Sequence, residues 1–275
     1  MKERDGAIID LAGVDPKARS LLVWGEAVDV GILKALPKLE ALEVYKIRTR
    51  DLPKVQALGE LPLRGLGLRF WSEPDLTAFR PPPGLETLTV WQSNKLESLD
   101  GIEAAADLET LVLNDNGKLQ SLEPLVVLLK LKVLSITGGI WNKQKTAGLG
   151  ALAGLEALRE LQLRGIDGRG VDLAPVAQIP KLEKLDLWAR DFAMEEVAKV
   201  AAAYPWFLEQ LLDLKDYGLR DSYGVCGKCE SMRKEMFLKG RKFLWCPLCD
   251  KKGLDRLLGL FETAVEEARG QLARP

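Results

Sequence analysis

Cys226, Cys229, Cys246 and Cys249 are the only cysteines of the 275-residue chain, and they form two C-x-x-C pairs. Residues 230 to 245, 16 in all, separate the pairs, within the spacing of a tetrahedral four-thiolate site. Two residues between ligands let both sulfurs of one tight turn face the same ion. Four thiolates leave no open position for water, so the chemistry expected here is structural metal binding rather than hydrolysis. One Zn2+ is expected, and iron suits the same soft donors. Redox use is disfavoured, because neither pair opens a helix after a strand.

The chain has no histidine. That removes Ser-His-Asp and Cys-His arrangements, imidazole bases and mixed Cys/His metal sites. No grouping of carboxylates or lysines replaces them, so the sequence predicts a protein that is not an enzyme. A net charge of −1 gives no overall pull toward nucleic acid or membrane. No apolar run approaches the roughly 20 residues of a membrane span, and the first residues lack the apolar core of a signal peptide. Cysteines confined to metal-type pairs fit a reducing compartment, so a cytoplasmic location is expected.

Between the cysteine pairs, MRKEMFL, a turn at Lys239–Gly240 and RKFLW read as a hairpin. Eight basic residues face three acidic ones between Ser222 and Gly253. With Phe237, Phe243 and Trp245 nearby, Lys234, Arg241 and Lys242 are candidate nucleic-acid contacts. The other use of this stretch is a solvated hairpin whose aromatics cover the metal and dock on the preceding element. Beyond it, Leu254, Leu257, Leu258, Phe261, Val265, Ala268 and Leu272 recur at helical spacing. A lone helix rarely holds in water, so this stripe must dock.

The elements that carry this cassette are written as a repeat. The frame L-x-x-L-x-L starts at Leu39, Leu63, Leu85, Leu108, Leu131, Leu158 and Leu182, at intervals of 24, 22, 23, 23, 27 and 24 residues. Degenerate copies start at Ala18 and Glu209, giving about nine coils. Each L-x-L is a short strand with alternate side chains inside the coil, and stacked strands form one parallel sheet. One coil cannot bury its leucines alone. The coil from Leu131 carries GGIWNKQKTAG, read as a protruding loop. The coil from Leu182 carries FAMEEVAKVAAAYP, read as a helix.

Counting the first leucine as position one, positions three, five and seven face outward. Position seven reads Trp24, Tyr45, Arg69, Trp91, Asn114, Thr137, Arg164, Trp188 and Lys215. Trp, Tyr and Arg dominate interface hot spots, so Tyr45, Arg69, Trp91 and Arg164, with Trp24 and Trp188, are the candidate partner-binding residues. Trp24 and Trp188 have a second reading, as packing under the terminal caps. Position five adds Glu43, Gln162, Asp186 and Asp213. Such mixed charge favours a protein partner over a phosphate backbone.

The repeats resemble the leucine-rich repeat family over roughly residues 18–216. LETLVLNDNGKLQSLEPLVVLLKL is similar to the short internalin-type repeats, with Asn116 where that family places an asparagine that bonds the turn backbone of adjacent coils. The equivalent positions are Glu26, Ile47, Trp71, Ser93, Gly139, Ile166 and Arg190, so several turns are expected to be irregular. The cysteine cassette, with Pro247 in CPLC, resembles the zinc ribbon. Together they imply an α/β solenoid with a parallel sheet on its concave face, closed by a small C-terminal zinc ribbon and a helix. The expected divisions are an N-terminal cap (1–17), the solenoid (18–216), the ribbon (217–253) and an amphipathic helix (254–275). The resemblance further implies non-catalytic protein–protein recognition of adaptor, inhibitor or toxin-neutralising type. The alternative is a nucleic-acid-associated factor that uses the basic ribbon.

Overall fold

A computed structural model describes residues 2–139, 143–212, 221–230, 232–236, 243–246 and 248–272. Ten strands form one sheet in sequence order. They are β1 (Lys2–Arg4), β2 (Ala7–Asp10), β3 (Ser20–Trp24), β4 (Ala41–Tyr45), β5 (Gly65–Arg69), β6 (Thr87–Trp91), β7 (Thr110–Asn114), β8 (Val133–Thr137), β9 (Glu160–Arg164) and β10 (Lys184–Leu187). From β2 onward every pairing is parallel. β1 and β2 form an antiparallel hairpin, so the expected N-terminal cap also extends the sheet.

The register follows the leucine frame. Leu42, Leu66, Leu88, Leu111, Leu134 and Leu161 are consecutive partners. β4, β6, β7, β8 and β9 each alternate half-buried and buried residues. That is the pleat of a sheet with one covered face. Each inward leucine or isoleucine contributes about 1.5–3 kcal/mol on full burial, and the stack joins them into one elongated core.

The return paths are mostly 3-10 turns, with short helices α1 (Val30–Lys34), α2 (Leu52–Gln56) and α3 (Ala174–Ala177). Proline opens several of them, where its missing N–H costs nothing. The coil from Leu182 carries the helix expected of it, α4 (Met194–Ala203). Its end is set by Tyr204 and Pro205.

Three expectations change. The degenerate copy at Glu209 is not a strand: Pro205–Leu212 is helix α5. Proline at its first position and the helix formers Leu, Glu and Gln outweigh a frame that lacks its leading leucine. The turns are also more regular than expected. Lys46, Phe70, Gln92 and Asp115 all take a left-handed backbone, with φ of 52–57°. Each gives its N–H to the next coil, at Arg69 O, Trp91 O, Asn114 O and Thr137 O (2.7–3.0 Å). The main chain therefore repeats the turn where asparagine is missing. Asn116 adds to it from full burial: its Oδ1 accepts from Ser93 N and its Nδ2 donates to Val90 O, both at 2.9 Å. Ser93 Oγ in turn accepts from Trp71 N at 3.0 Å.

The expected protruding loop also re-enters the fold after residues 140–142. Gln144 is buried and bridges to Ile166, with its N–H on Gly165 O at 2.9 Å. Lys143 Nζ reaches the buried Asp191 carboxylate at 2.5 Å. Glycine is required at the root of this insertion, because a Cβ at Gly138 would lie 2.0 Å from Gly165 O.

Position two of the frame forms a ladder of exposed ion pairs between neighbouring coils. Arg19 pairs with Glu40 (2.6 Å), Arg64 with Glu86 (2.6 Å), Lys132 with Glu109 (2.7 Å) and Arg159 with Glu183. Each is worth at most about 1 kcal/mol in water.

Strands β11 (Asp221–Val225), β12 (Met232–Met236) and β13 (Phe243–Trp245) form a separate antiparallel sheet. Helix α6 (Lys251–Leu272) follows and packs on α4, burying Leu257, Phe261, Val265 and Ala268. Among the described residues, no helix is long and apolar enough to cross a membrane.

Candidate functional site

Position seven forms one row across the concave face: Trp24, Tyr45, Arg69, Trp91, Asn114, Thr137 and Arg164 are register partners. Trp188 follows directly after β10. Trp24 leaves the exposed set, with only 2% of its surface accessible. The hairpin covers it: its Nε1 donates to Arg4 O at 2.9 Å, and the Arg4 guanidinium lies 3.5 Å from its ring centroid. Tyr45, Arg69, Trp91, Arg164 and Trp188 are half-buried.

These side chains are held by one another. The Glu43 carboxylate accepts from Arg69 Nε, and the Arg69 guanidinium stacks 4.0 Å from the Trp91 ring centroid. Gly67 makes room for Glu43, since a Cβ there would meet its Cγ at 2.7 Å. A charged group over an aromatic face gains about 0.5–1 kcal/mol at a wet site. More important for recognition, both planes are fixed before a partner arrives. Farther along, Ser135 Oγ donates to Gln162 Oε1 (2.6 Å), and Gln162 Nε2 donates to Asp186 Oδ2 (3.0 Å). Asp186 also pairs with Arg164. Trp188 lies between Arg164 and Arg190, at 6.0 and 4.3 Å. The floor between the two clusters is small and uncharged: Thr87, Thr89, Thr110, Val112, Val133 and Ser135.

Sequence reasoning missed Lys46 and Phe70, one position past the column. Their left-handed turns bring them to the rim beside it. Phe70 meets Tyr45 edge-to-face at 5.2 Å, and Tyr45 meets Trp24 at 5.0 Å. Lys46 Nζ lies 5.1 Å from the Trp24 ring. The missed signal was the turn's regularity, which the absence of asparagine concealed. On the same rim, Arg48 and then Arg4 hold the Glu26 carboxyl below the usual carboxylate range.

In the second sheet, the strand pairing Met236 opposite Phe243 is the hairpin expected between the cysteine pairs. β11 is a third strand that the sequence reading did not identify. Lys234 lies on β12 opposite Trp245. Arg241 and Lys242 lie outside the described residues, as do Asp213 and Lys215.

The four cysteine sulfurs all lie within 4.8 Å of one another. Cys226 to Cys249 is 3.9 Å and Cys229 to Cys246 is 3.3 Å, far beyond a disulfide bond of about 2.05 Å. A tetrahedron with metal–sulfur bonds of about 2.3 Å has edges of about 3.8 Å, so the donor set fits one thiophilic ion. The two turns match: Glu230 N bonds Cys226 O and Asp250 N bonds Cys246 O, both at 2.9 Å. Asp250 Oδ2 accepts from Cys246 N at 2.8 Å, and Cys249 N donates to Cys246 Sγ at 3.3 Å. Backbone donors at Lys228 and Cys229 lower the Cys226 thiol. Hydrogen bonding with Cys229, then burial and the other sulfurs, pushes the Cys249 thiol up to about 12. Four crowded sulfurs disfavour shared ionisation unless a cation is among them.

The fold and this centre together define a leucine-rich-repeat solenoid with a C-terminal four-cysteine module. No protein-family pattern matches the chain, and no curated protein does. Among the solved structures similar to it are two leucine-rich-repeat proteins. One is internalin C2 from Listeria monocytogenes str. 4b F2365, with 18% identity over 62% of this chain and 74% of that one, and a TM-score of 0.41. The other is a TLR13–ssRNA13 complex, with 23% identity, a TM-score of 0.40, and coverage of 62% of this chain but only 29% of that one.

Proposed function

We propose that the protein is a non-catalytic recognition module that takes a protein partner on its concave face, as an adaptor, inhibitor or toxin-neutralising factor. The observation that carries this reading is the Glu43–Arg69–Trp91 stack. It presents an aromatic plane and a guanidinium, already immobilised, above a shallow uncharged floor. Tyr45, Arg164 and Trp188 extend the contact surface to either side. Rigid aromatic and arginine anchors lose little freedom on binding and carry most interface energy.

The four cysteines hold one Zn2+ in this reading. When bound, the ion ties the two cysteine turns together and exposes no position for catalysis. The chain's own groups prepare the cage, with Asp250 fixing the second turn and the backbone donors directing the Cys226 sulfur.

The test is affinity capture from the native host with the full chain, comparing wild type with Trp91→Ala and Arg164→Ala. The expected result is loss of one protein partner from both variants at a nearly unchanged melting temperature. Retention of that partner by both folded variants would place the site elsewhere.

A further inference from the structure

Many charges along the solenoid sit in one-to-one ion pairs between neighbouring coils. The position-two ladder is paired, as are Arg69 with Glu43, Arg164 with Asp186 and Lys184 with Glu160. The N-terminal rim of the concave face departs from this rule. Arg4, Arg48 and Arg50 converge on one carboxylate, Glu26, at 2.8 Å for Arg4 and 3.5 Å for Arg50. Lys54 Nζ takes the Glu26 carbonyl at 2.5 Å, and Lys46 Nζ lies 5.1 Å from the Trp24 ring centroid. The second carboxylate, Asp51, is buried and committed to Arg48 N and Nε. Three guanidiniums thus share two carboxylates with two lysines close by, and Arg50, 67% exposed, lies 3.5 Å from Glu26 and 4.0 Å from Asp51. Beside them, Tyr45 and Phe70 offer half-buried rings.

We infer that this rim is the docking point for an acidic, apolar-bearing segment of the protein partner, whose carboxylates complete the cation cluster while an apolar side chain covers Tyr45 and Phe70. This rests on the concave-face reading and names the partner's chemistry at one end of it. Glu26 shows what the cluster accepts, since the same guanidiniums already clamp a carboxylate. The excess charge is compact, and among the described residues the paired ladder leaves no continuous basic stripe of the kind a phosphate backbone follows. An acidic peptide fits that footprint better than a nucleic-acid strand.

The experiment titrates the full chain into a fluorescein-labelled dodecapeptide of alternating Glu, Leu, Asp and Phe, followed by anisotropy. Controls replace the acids by lysine, or the peptide by fluorescein-labelled oligothymidylate. The acidic peptide is expected to bind at about 20 mM salt and to weaken markedly at about 200 mM, as screening of exposed charge requires. Lys46→Glu with Arg50→Glu should weaken it about tenfold or more, and Lys54→Glu, on an exposed helix face, gives an independent arm if the double variant is unstable. Several results overturn the proposal: no binding of the acidic peptide, equal binding of the lysine peptide, tighter binding of oligothymidylate, or folded variants that bind like wild type. If the variants keep the natural partner while Trp91→Ala loses it, the acidic-segment inference fails and the concave-face reading stands.

Discussion

Asn116→Ala removes one side chain and strands two main-chain groups. Asn116 is wholly buried, and its amide is the partner of both Ser93 N–H and Val90 C=O at 2.9 Å. A buried polar group left without a partner costs about 1–3 kcal/mol, so the pair implies a loss of about 2–4 kcal/mol once partial relaxation is allowed. The change in cavity volume is small beside this. Urea unfolding followed by far-ultraviolet circular dichroism measures it, with the slope checked for a two-state transition. Asn116→Asp sharpens the test. It keeps the acceptor for Ser93 N–H but faces Val90 O with a second acceptor, in a place where a charge is not solvated. It should be at least as harmful as alanine. Ser93→Ala strands Trp71 N–H, and because Ser93 also bonds Asn116, the double variant should deviate from additivity by about 0.5 kcal/mol or more. An Asn116→Ala loss below about 0.5 kcal/mol would refute the reasoning, since it would show the turn to be satisfied without the amide.

Three other outcomes are expected. Metal analysis of the purified chain should give one zinc per molecule, and chelation should loosen the second sheet; a module equally protease-resistant without metal would contradict the structural assignment. Phe261→Ala should cost about 3–5 kcal/mol, because that ring is fully buried where α6 packs on α4, with a shift of the thermal midpoint as readout. Burial pushes the Tyr204 hydroxyl up to about 12, while it donates toward Val176 O and Ile179 O at 2.8 Å. Its folded value lies above its unfolded value near 10, so this stabilisation is present below pH 10 and is lost as pH rises from about 10 to 12. Tyr204→Phe should flatten that part of the stability–pH curve, and a curve of unchanged shape would reject the assignment.

The leucine period alone located β3 to β10, because a strand buried on one face must alternate and a coil must repeat. The cysteine spacing likewise anticipated the four-thiol cluster, since two short turns facing one point constrain little else. What escaped the sequence was set by competition or by neighbours. Glu209–Leu212 follows the hydrophobic frame, yet Pro205 and helix-forming side chains decide it. Trp24 has the same type and frame position as Trp91, but a hairpin of only a few residues covers one and not the other. Phe70 and Lys46 gain their rim position from a left-handed turn that their residue types disfavour and that cross-coil main-chain bonds enforce.

The ion-pair ladder at position two has a consequence for how many coils such a chain can lose. Its pairs join coils two at a time: Arg19 with Glu40, Arg64 with Glu86, Glu109 with Lys132, and Arg159 with Glu183. Excising the single coil that carries Glu40 would set Arg19 beside Arg64. Excising the one that carries Arg64 would set Glu40 beside Glu86. Removing both together leaves Arg19 facing Glu86, a complementary pair. The solenoid is therefore punctuated in twos along that edge: deleting the two coils that share one ion pair leaves the other pairs intact, whereas deleting a single coil takes one partner from a pair.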